Sequence, residues 1–405
     1  MPPTLEEFLA EARRFLGSVA AEGDQSARPA VVKSRFALFS GSAPSEIDEA
    51  IAYQRAAFDA GFGWITGPAE FGGAGLPANY EKAFLGVERA ASIPSKGPLA
   101  VSLGMVAPTL AQFGTPEAKA RWLRGIRRAD VVGCQLFSEP SAGSDLAAVR
   151  TKAVQSEGGA SWIVNGQKVW TSGAHYSSIG IALTRTSEGP RHRNLTAFVI
   201  DMSTPGVVVQ PLRQITGGAD FNEVFLTDVI VPDSCRLGEV GQGWAVAIAM
   251  LMYERGAIGG SSSGGSGLFR MGDLARWIND LDRQDDPAVV EAYARVHSGI
   301  TAAKAMRARA DANLKINGVP GPEMSLGKLA LTANLRALSD LVSLVLGSKL
   351  IGDTGEPQTF AWSELVLSVP GMRIGGGTDE IHRNTVAERA LNLPKDNTAR
   401  SQRAR

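Results

Sequence analysis

The 405-residue chain has little cysteine, little histidine and no excess of either charge, and each shortage excludes a class of function. Its two cysteines, Cys134 and Cys235, cannot build a disulfide framework or a thiolate metal site. Its four histidines are scattered without the spacing of metal ligands. Because 41 basic residues balance 41 acidic ones, a general nucleic-acid or anionic-membrane binder is disfavoured.

Signals for targeting or membrane insertion are lacking as well. Residues 2–20 carry Glu6, Glu7 and Glu11 and have neither the basic start nor the apolar core of a signal peptide. The longest apolar run, 244–253, is too short to span a bilayer. We therefore expect a cytoplasmic protein with no membrane span. Apolar and charged contents of 44% and 20% are those of a soluble globular protein of two or three domains.

The residues present divide the chain into helical, β and helical parts. Residues 1–130 place apolar residues at helical spacing, which predicts an N-terminal helical domain. Residues 131–237 hold short apolar runs between turn residues, which favours a small β-barrel or sandwich. Residues 238–394 return to long periodic helices, typical of a four-helix bundle. The predicted fold class is α+β, and the polar segment 395–405 is expected to be a disordered tail.

The predicted elements follow from periodicity and from turn and cap residues. The predicted strands are 132–137, 151–155, 162–164, 167–170, 180–183, 195–201, 207–212 and 222–226. The predicted helices include 5–16, 45–60, 80–91, 105–113, 116–128, 244–258, 287–315, 324–349, 359–369 and 378–391. Asn165-Gly166 separates two of the strands and is a strong signal for a two-residue hairpin turn.

Two motifs in the β part carry the strongest functional signal. The first, 133–145, reads Gly-Cys-Gln-Leu-Phe-Ser-Glu-Pro-Ser-Ala-Gly-Ser-Asp. Its apolar strand stops at Pro140, which has no N–H to donate, and small turn residues follow. Such a loop can present N–H groups and hydroxyls to a ligand, although composition alone favours an ordinary strand exit. The second motif, 165–172, reads Asn-Gly-Gln-Lys-Val-Trp-Thr-Ser and changes that balance.

Together, Phe-Ser-Glu-Pro-x-Ala-Gly-Ser-Asp and Asn-Gly-x-Lys-x-Trp-Thr-Ser resemble the acyl-CoA dehydrogenase family, and the resemblance extends over nearly the whole chain. In that family the two segments hold the flavin ring of FAD, which needs hydrogen-bond donors and a flat cover. The cofactor-binding residues that the resemblance implies here are Gln135, Phe137, Ser138, Ser144, Trp170, Thr171 and Ser172. Ser144 is also in reach of the CoA pantetheine. Trp170 taken alone would be better explained as a core aromatic at a strand end, but it stands beside the first motif.

A third motif, 375–384, leads a glycine run into a helix N-terminus, where free N–H groups suit an oxyanion. Thr378 is the predicted N-cap, and the acidic residues after it suit the positive end of the helix. An acid-rich helix cap is therefore one explanation of this motif. The resemblance implies in addition that Thr378, Asp379 and Glu380 contact FAD, and that the N–H of Gly376 polarises the substrate's thioester carbonyl.

Many relatives carry the catalytic base as a glutamate at the position of Gly376. Because this chain has glycine there, its catalytic base must be another residue. Glu254 shares a helix face with Ala247 and Met250 in an apolar segment, where burial would raise its pKa toward that of a base. Glu254-Arg255 is similar to the family's alternative base position, which implies Glu254 as catalytic base and Arg255 as a substrate contact. A structural salt bridge is the alternative interpretation.

The resemblance implies an enzyme, an acyl-CoA dehydrogenase that forms the α,β double bond of an acyl-CoA and passes electrons through FAD to an electron-transfer flavoprotein.

Two departures from the family's motifs keep alternative functions open. Segment 271–286 lacks the Arg-x-x-Phe-Gly motif that binds the FAD diphosphate, and the Gln-x-x-Gly-Gly-x-Gly stretch is reduced to residues 346–348 near Gly352. The alternatives are a non-catalytic partner subunit of a heterotetramer, and a flavin oxidase or monooxygenase. Homotetramer and heterotetramer are both compatible with the sequence.

The segment after Glu254 is built almost entirely from small residues, with six glycines between positions 256 and 267. If the helix continues through it, the helix wall has almost no side chains, despite a cost of up to ~1 kcal/mol per glycine. Such a wall predicts a wide acyl pocket that accepts a branched or cyclic acyl group. A flexible loop is the alternative.

Overall fold

A computed structural model of the chain describes residues 2–22, 43–261, 271–317, 324–352 and 359–394. These residues form two compact units, one ending at Glu254 and the other beginning at Arg255. The first unit contains the N-terminal helices and the β-sheet, and the second contains the remaining helices. The predicted α+β class, with helical, β and helical parts in that order, is confirmed. The turn predicted at 318–322 and the tail 395–405 lie outside the described residues.

In the described part of the first unit, the α-helices before the sheet are α1 (Leu5–Glu22), α2 (Pro44–Asp59), α3 (Ala78–Glu88), α4 (Ala107–Phe113) and α5 (Pro116–Arg128). The apolar face predicted for α1 is buried, with Phe8, Ala12 and Leu16 packed against Phe62 and Tyr53. This packing supplies stability that an isolated amphipathic helix lacks. Helix α5 starts as predicted, because the Thr115 side chain accepts the N–H of Ala118 at 3.1 Å.

The β part forms one sheet from eight described strands: β1 (Gly133–Leu136), β2 (Lys152–Gln155), β3 (Ser161–Ser172), β4 (Ile179–Arg185), β5 (Leu195–Asp201), β6 (Val207–Leu212), β7 (Phe221–Pro232) and β8 (Arg236–Leu237). The strand order is β6-β7-β3-β2-β4-β5-β8, and β1 pairs with β4 in parallel. Inward-facing residues of β1, β4 and β5 pack with α4 and α5 into one core. The sheet thereby holds the first motif at the end of β1 and the second motif within β3.

The hairpin predicted at Asn165-Gly166 is wrong. The two predicted strands are one continuous strand, β3, which pairs antiparallel with both β2 and β7. The Asn165 side chain bonds to Asp228 across the sheet, with Nδ2 to Oδ1 at 3.0 Å and Oδ1 to the Asp228 N–H at 2.8 Å. A Cβ at Gly166 would lie 2.4 Å from Thr151 Oγ1. The dipeptide therefore marks a local irregularity and a close strand approach instead of a turn.

Helix α6 (Gly243–Ser261) follows the sheet and belongs to the first unit as far as Glu254. Its residues Val246, Ala247 and Met250 are fully buried in the sheet core. The opposite side of the helix is more accessible, since Met252 is 46% exposed. The small-residue segment after Glu254 is helical as far as Ser261, as one of the two sequence-based alternatives predicted. Residues 262–270 lie outside the described residues.

The described helices of the second unit are α7 (Met271–Asp280), α8 (Pro287–Asn317), α9 (Met324–Leu346), α10 (Thr359–Ile374) and α11 (Asp379–Arg389). The sequence reasoning predicted no helix at α7, whose Leu274 and Ile278 are buried in the core. Segment Ser325–Leu350 is long and apolar enough to cross a membrane by length and composition. However, Leu335 and Leu338 of this segment lie in the helical core of the unit, which is sufficient to explain its composition.

Candidate functional site

The first two motifs lie side by side, joined by hydrogen bonds between the end of β1 and the middle of β3. The N–H of Val169 donates to the carbonyl of Ser138 at 2.9 Å. The ammonium of Lys168 donates to the carbonyl of Phe137 at 3.1 Å and to that of Leu183 at 2.7 Å. Phe137 and Ser138 are thereby fixed beside the strand that carries Trp170.

A buried ion pair holds this junction. Lys168 and Glu139 are 0% and 5% exposed, and Nζ lies 2.8 Å from Oε1. The Glu139 carboxylate also accepts the N–H groups of Arg150 at 2.6 Å and Thr151 at 2.9 Å, which closes the loop between them. Sequence reasoning missed this pair, although a charged residue within each of two otherwise apolar motifs is a signal that could have revealed it.

Burial and pairing act in opposite directions on the two charges. Burial lowers the pKa of Lys168 to about 8, and the charge of Glu139 opposes that shift. Burial by itself would raise the pKa of Glu139, but the Lys168 charge and the hydrogen bonds hold that pKa below its ordinary value. The pair is therefore ionised at neutral pH. Removing one partner would leave the other as an uncompensated buried charge.

Trp170 has a backbone conformation that a bulky residue rarely adopts. Its φ is +61°, in the left-handed region, and the β3–β7 register shifts between Lys168 and Thr171. Such a conformation costs free energy and persists only where the surrounding structure imposes it. The indole remains 59% exposed and contacts Phe221 edge to face, with ring centroids 5.9 Å apart. A strained, exposed tryptophan at a bulge is typical of a ligand-facing position.

Two predicted cofactor contacts have buried polar atoms without a hydrogen-bond partner among the described residues, namely Gln135 Nε2 and Thr171 Oγ1. Buried polar atoms are nearly always hydrogen-bonded, so these two atoms are available to a ligand or to water. Beside Thr171, Asn222 Nδ2 donates to the Thr171 carbonyl at 3.1 Å and lies 3.2 Å from His175 Nδ1. Asn222 and His175 were not predicted from the sequence. One such unpartnered polar atom in each of the two motifs fits a flavin ring, which needs hydrogen-bond partners.

The remaining predicted residues of this unit are placed as follows. Phe137 is buried, Ser138 is half-buried, and Ser144 and Ser172 are exposed. Ser144 lies in the loop that Glu139 closes, next to Asp145, which pairs with Arg191. The structure therefore brings Phe137, Ser138 and the Trp170 strand together. The cofactor or substrate contacts predicted for Ser144 and Ser172 stay predictions.

Glu254 lies in α6, which is anchored at its first residue and again directly before Glu254. At the start of α6, Gly243 approaches the Thr196 backbone so closely that a Cβ would lie 2.6 Å from Thr196 N. Next to Glu254, the Tyr253 hydroxyl donates to Gln112 Oε1 at 2.9 Å. Glu254 itself is half-buried. The side chain of Arg255 lies outside the described residues, so its predicted substrate contact stays a prediction.

The third motif belongs to the second unit, and its predicted helix cap is confirmed. Thr378 accepts the N–H of Ile381 at 3.2 Å at the start of α11. Asp379 is buried, and its oxygens accept bonds from Thr332 Oγ1 at 2.8 Å and Arg373 Nε at 2.9 Å. Although burial alone would raise the pKa of Asp379, the bonds from Arg373 and Thr332 hold it below its ordinary value. Both carboxylate oxygens of Asp379 thus accept hydrogen bonds from within this unit. The FAD contacts predicted for Thr378, Asp379 and the exposed Glu380 stay predictions.

Two positions directly before this helix have backbone conformations that favour glycine. Gly376 and Gly377 have φ values of +67° and +94°. A side chain at such angles costs roughly 1–2 kcal/mol. A glutamate at position 376 would therefore be strained on this backbone, which gives a physical reason for the departure from the usual family pattern.

Comparison with known proteins identifies three consecutive domain families. The acyl-CoA dehydrogenase N-terminal domain matches residues 39–130, the middle domain 134–229 and the C-terminal domain 241–391. The acyl-CoA dehydrogenase IpdE1 of Mycobacterium tuberculosis is 38% identical over 342 residues, covering 82% of this chain and 84% of IpdE1. The acyl-CoA dehydrogenase FadE34 of the same organism is 37% identical over 330 residues, covering 81% of this chain, which spans only 44% of FadE34.

A solved structure described as the Tcur3481-Tcur3483 steroid ACAD superposes with a TM-score of 0.75. It covers 98% of this chain and 99% of the matched chain at 23% identity. At that identity the likeness shows the shared fold.

Proposed function

The chain belongs to the acyl-CoA dehydrogenase family of FAD-dependent oxidoreductases, and on this premise we propose that it oxidises an acyl-CoA thioester at its α,β-bond. The observation that carries the proposal is the junction of the first two motifs. There, the unpartnered polar atoms of Gln135 and Thr171 lie in β1 and β3, Ser138 lies shortly after β1, and the exposed Trp170 lies in β3. Bound FAD supplies the acceptor for the β-hydride.

Each of the chain's own groups has a defined task in this proposal. Glu254 removes the α-proton of the thioester, which requires a carboxylate that is shielded from water but able to ionise. The N–H of Gly376 donates to the thioester carbonyl and thereby acidifies that proton. Ser138 and Ser172 donate hydroxyl bonds to the flavin, and Trp170 covers its edge. The pair of Lys168 and Glu139 holds the end of the first motif beside the strand that carries Trp170.

The experiment that tests cofactor binding is the visible spectrum of the chain purified alone. Stoichiometric FAD supports a catalytic subunit, whereas a chain that binds FAD only after a second subunit is added supports the heterotetramer partner. The similarity to a structure whose description joins two proteins, Tcur3481 and Tcur3483, favours testing both states. Rapid reoxidation of the reduced flavin by air would favour the oxidase or monooxygenase alternative. We propose an electron-transfer flavoprotein as acceptor and the cytoplasm as the compartment.

Replacing both hydroxyls that the proposal assigns to the flavin is expected to weaken FAD retention. In Ser138→Ala/Ser172→Ala two hydrogen bonds to the ring are lost, at roughly 0.5–1.5 kcal/mol each, so the dissociation constant should rise about tenfold. Fluorescence titration of the apoprotein with FAD measures this change. Ser187→Ala, at an exposed position of the same unit, is the control. Unchanged affinity and an unchanged flavin spectrum in the double variant would contradict the assignment.

Substrates with bulky acyl groups are expected to reduce the flavin faster than straight medium chains. The sequence of the helix that carries Glu254 continues with Gly256, Gly259 and Gly260, and glycine has no side chain to fill an acyl pocket. The similarity to a protein described as a steroid ACAD points to a ring-bearing acyl group. Stopped-flow reduction with a panel of CoA esters measures the preference. Faster turnover of straight medium-chain esters would count against a wide pocket.

A further inference from the structure

A buried lysine of α9 contacts the peptide group to which the N–H of Gly376 belongs. Lys328 is 5% exposed, and its ammonium donates to the carbonyl of Gly375. The carbonyl of Gly375 and the N–H of Gly376 are the two ends of one planar peptide unit. A bond to one end therefore fixes the direction in which the other end points.

The same face of α9 holds the far end of the glycine loop. Thr332, one helical turn after Lys328, donates to the buried carboxylate of Asp379, the first residue of α11. Between these anchors, His382 Nε2 lies 3.0 Å from the carbonyl of Gly376. Because glycine backbones are otherwise free to adopt many conformations, these contacts select one orientation of the loop.

The charge of Lys328 does more than orient the peptide. A cationic donor on a carbonyl makes a stronger bond than a neutral one. Hydrogen bonds in a chain polarise one another, by roughly 10–30% per bond. An ammonium on the Gly375 oxygen therefore draws electron density from the peptide nitrogen and makes the Gly376 N–H a stronger donor.

We propose that Lys328 is a positioning residue that orients and polarises the Gly375–Gly376 peptide, so that the Gly376 N–H binds the thioester carbonyl oxygen of the acyl-CoA. This inference rests on the proposed function, which assigns that N–H to the carbonyl. It adds a residue of α9, 47 positions before Gly375 in sequence, to the groups that activate the substrate.

The direct readout is the infrared carbonyl stretch of a ¹³C-labelled acyl-CoA bound to the holoenzyme. We expect the wild-type protein to shift this band to lower frequency, because a polarised carbonyl has a weaker C=O bond. Lys328→Met should lose more than about half of the shift and lower kcat about tenfold or more with little change in KM, since a donor of this kind contributes about 10²–10³ in rate. Lys328→Arg keeps the charge and should keep most of the shift.

Thr332→Val separates polarisation from loop anchoring, because it removes a neutral bond at the other end of the same loop. We expect this variant to keep more of the carbonyl shift than Lys328→Met does. An equal loss in both variants, or a wild-type shift in Lys328→Met, would overturn the role of Lys328. If Lys328→Met does not fold, Lys328→Gln is used in its place, because glutamine retains a neutral hydrogen-bond donor. A full wild-type carbonyl shift in Lys328→Gln likewise overturns the role of the charge.

The same spectra distinguish failure of this inference from failure of the proposed function. If wild-type holoenzyme is reduced by an acyl-CoA but shows no carbonyl shift, both the role of the Gly376 N–H and that of Lys328 are wrong while the dehydrogenase activity stands. If no acyl-CoA reduces the flavin, the proposed function itself is wrong.

Discussion

Glu254→Gln is expected to bind FAD and acyl-CoA normally and yet to lose nearly all flavin reduction. Glutamine keeps the shape of the side chain but cannot accept the α-proton. General-base catalysis contributes about 10²–10⁴ in rate, so the first-order rate of reduction should fall by about 10² or more. Anaerobic stopped-flow mixing with acyl-CoA measures this rate, and titration of the oxidised protein measures binding separately.

Glu239→Gln is the matched control, because Glu239 is an exposed carboxylate of the same unit, shortly before α6. Its reduction rate should remain near that of the wild-type protein. A near wild-type rate in Glu254→Gln would show that another group removes the proton or that this chain does not perform the chemistry. The non-catalytic partner subunit would then become the better interpretation.

Lys168→Met is expected to destabilise the first unit by about 3–5 kcal/mol, the range for breaking a buried ion pair. The loss is large because Glu139 would remain buried with its negative charge and only backbone N–H groups to stabilise it. The same substitution removes the bond to the Phe137 carbonyl, so it should loosen Phe137 against β3 and reduce FAD retention. Denaturant unfolding at fixed FAD and protein concentrations measures the free energy of unfolding.

Two further variants serve as controls for Lys168→Met. One removes a cationic side chain from an exposed ion pair, and the other removes both charges of the buried pair. Arg295→Met removes a partner of the exposed pair with Glu291 and should cost less than about 1 kcal/mol. Glu139→Gln/Lys168→Met removes both charges and should recover part of the stability lost in Lys168→Met. If Lys168→Met proved no more damaging than Arg295→Met, the ion pair would not be what holds the two motifs together.

Local sequence signals predicted much of the fold because they reflect local physics. The proline and threonine at the start of α5 and the threonine at the start of α11 satisfy backbone N–H groups within one turn, so they could be identified directly. The Asn165-Gly166 signal failed because pairing with both β2 and β7 stabilises a continuous strand more than a turn. Tertiary pairing of this kind overrides local turn preference.

The candidate site was predictable only where a motif is contiguous in sequence. Phe137, Ser138 and Trp170 could be identified from two short segments. The side-chain contacts around the motifs could not, because Lys168 and Glu139, beside Phe137, are 29 residues apart, and Lys328 and Gly375, in the glycine loop of the other unit, are 47 apart. No periodicity or spacing rule connects such pairs, since they depend on how strands and helices pack.

The most direct test of the dehydrogenase assignment is an anaerobic titration of the FAD-loaded protein with acyl-CoA esters, followed at the visible flavin band. We predict that at least one ester bleaches the band, and that oxidised electron-transfer flavoprotein restores it while air does so slowly. A protein that binds FAD stoichiometrically but is bleached by no ester in a panel of straight, branched and ring-bearing acyl groups would contradict it.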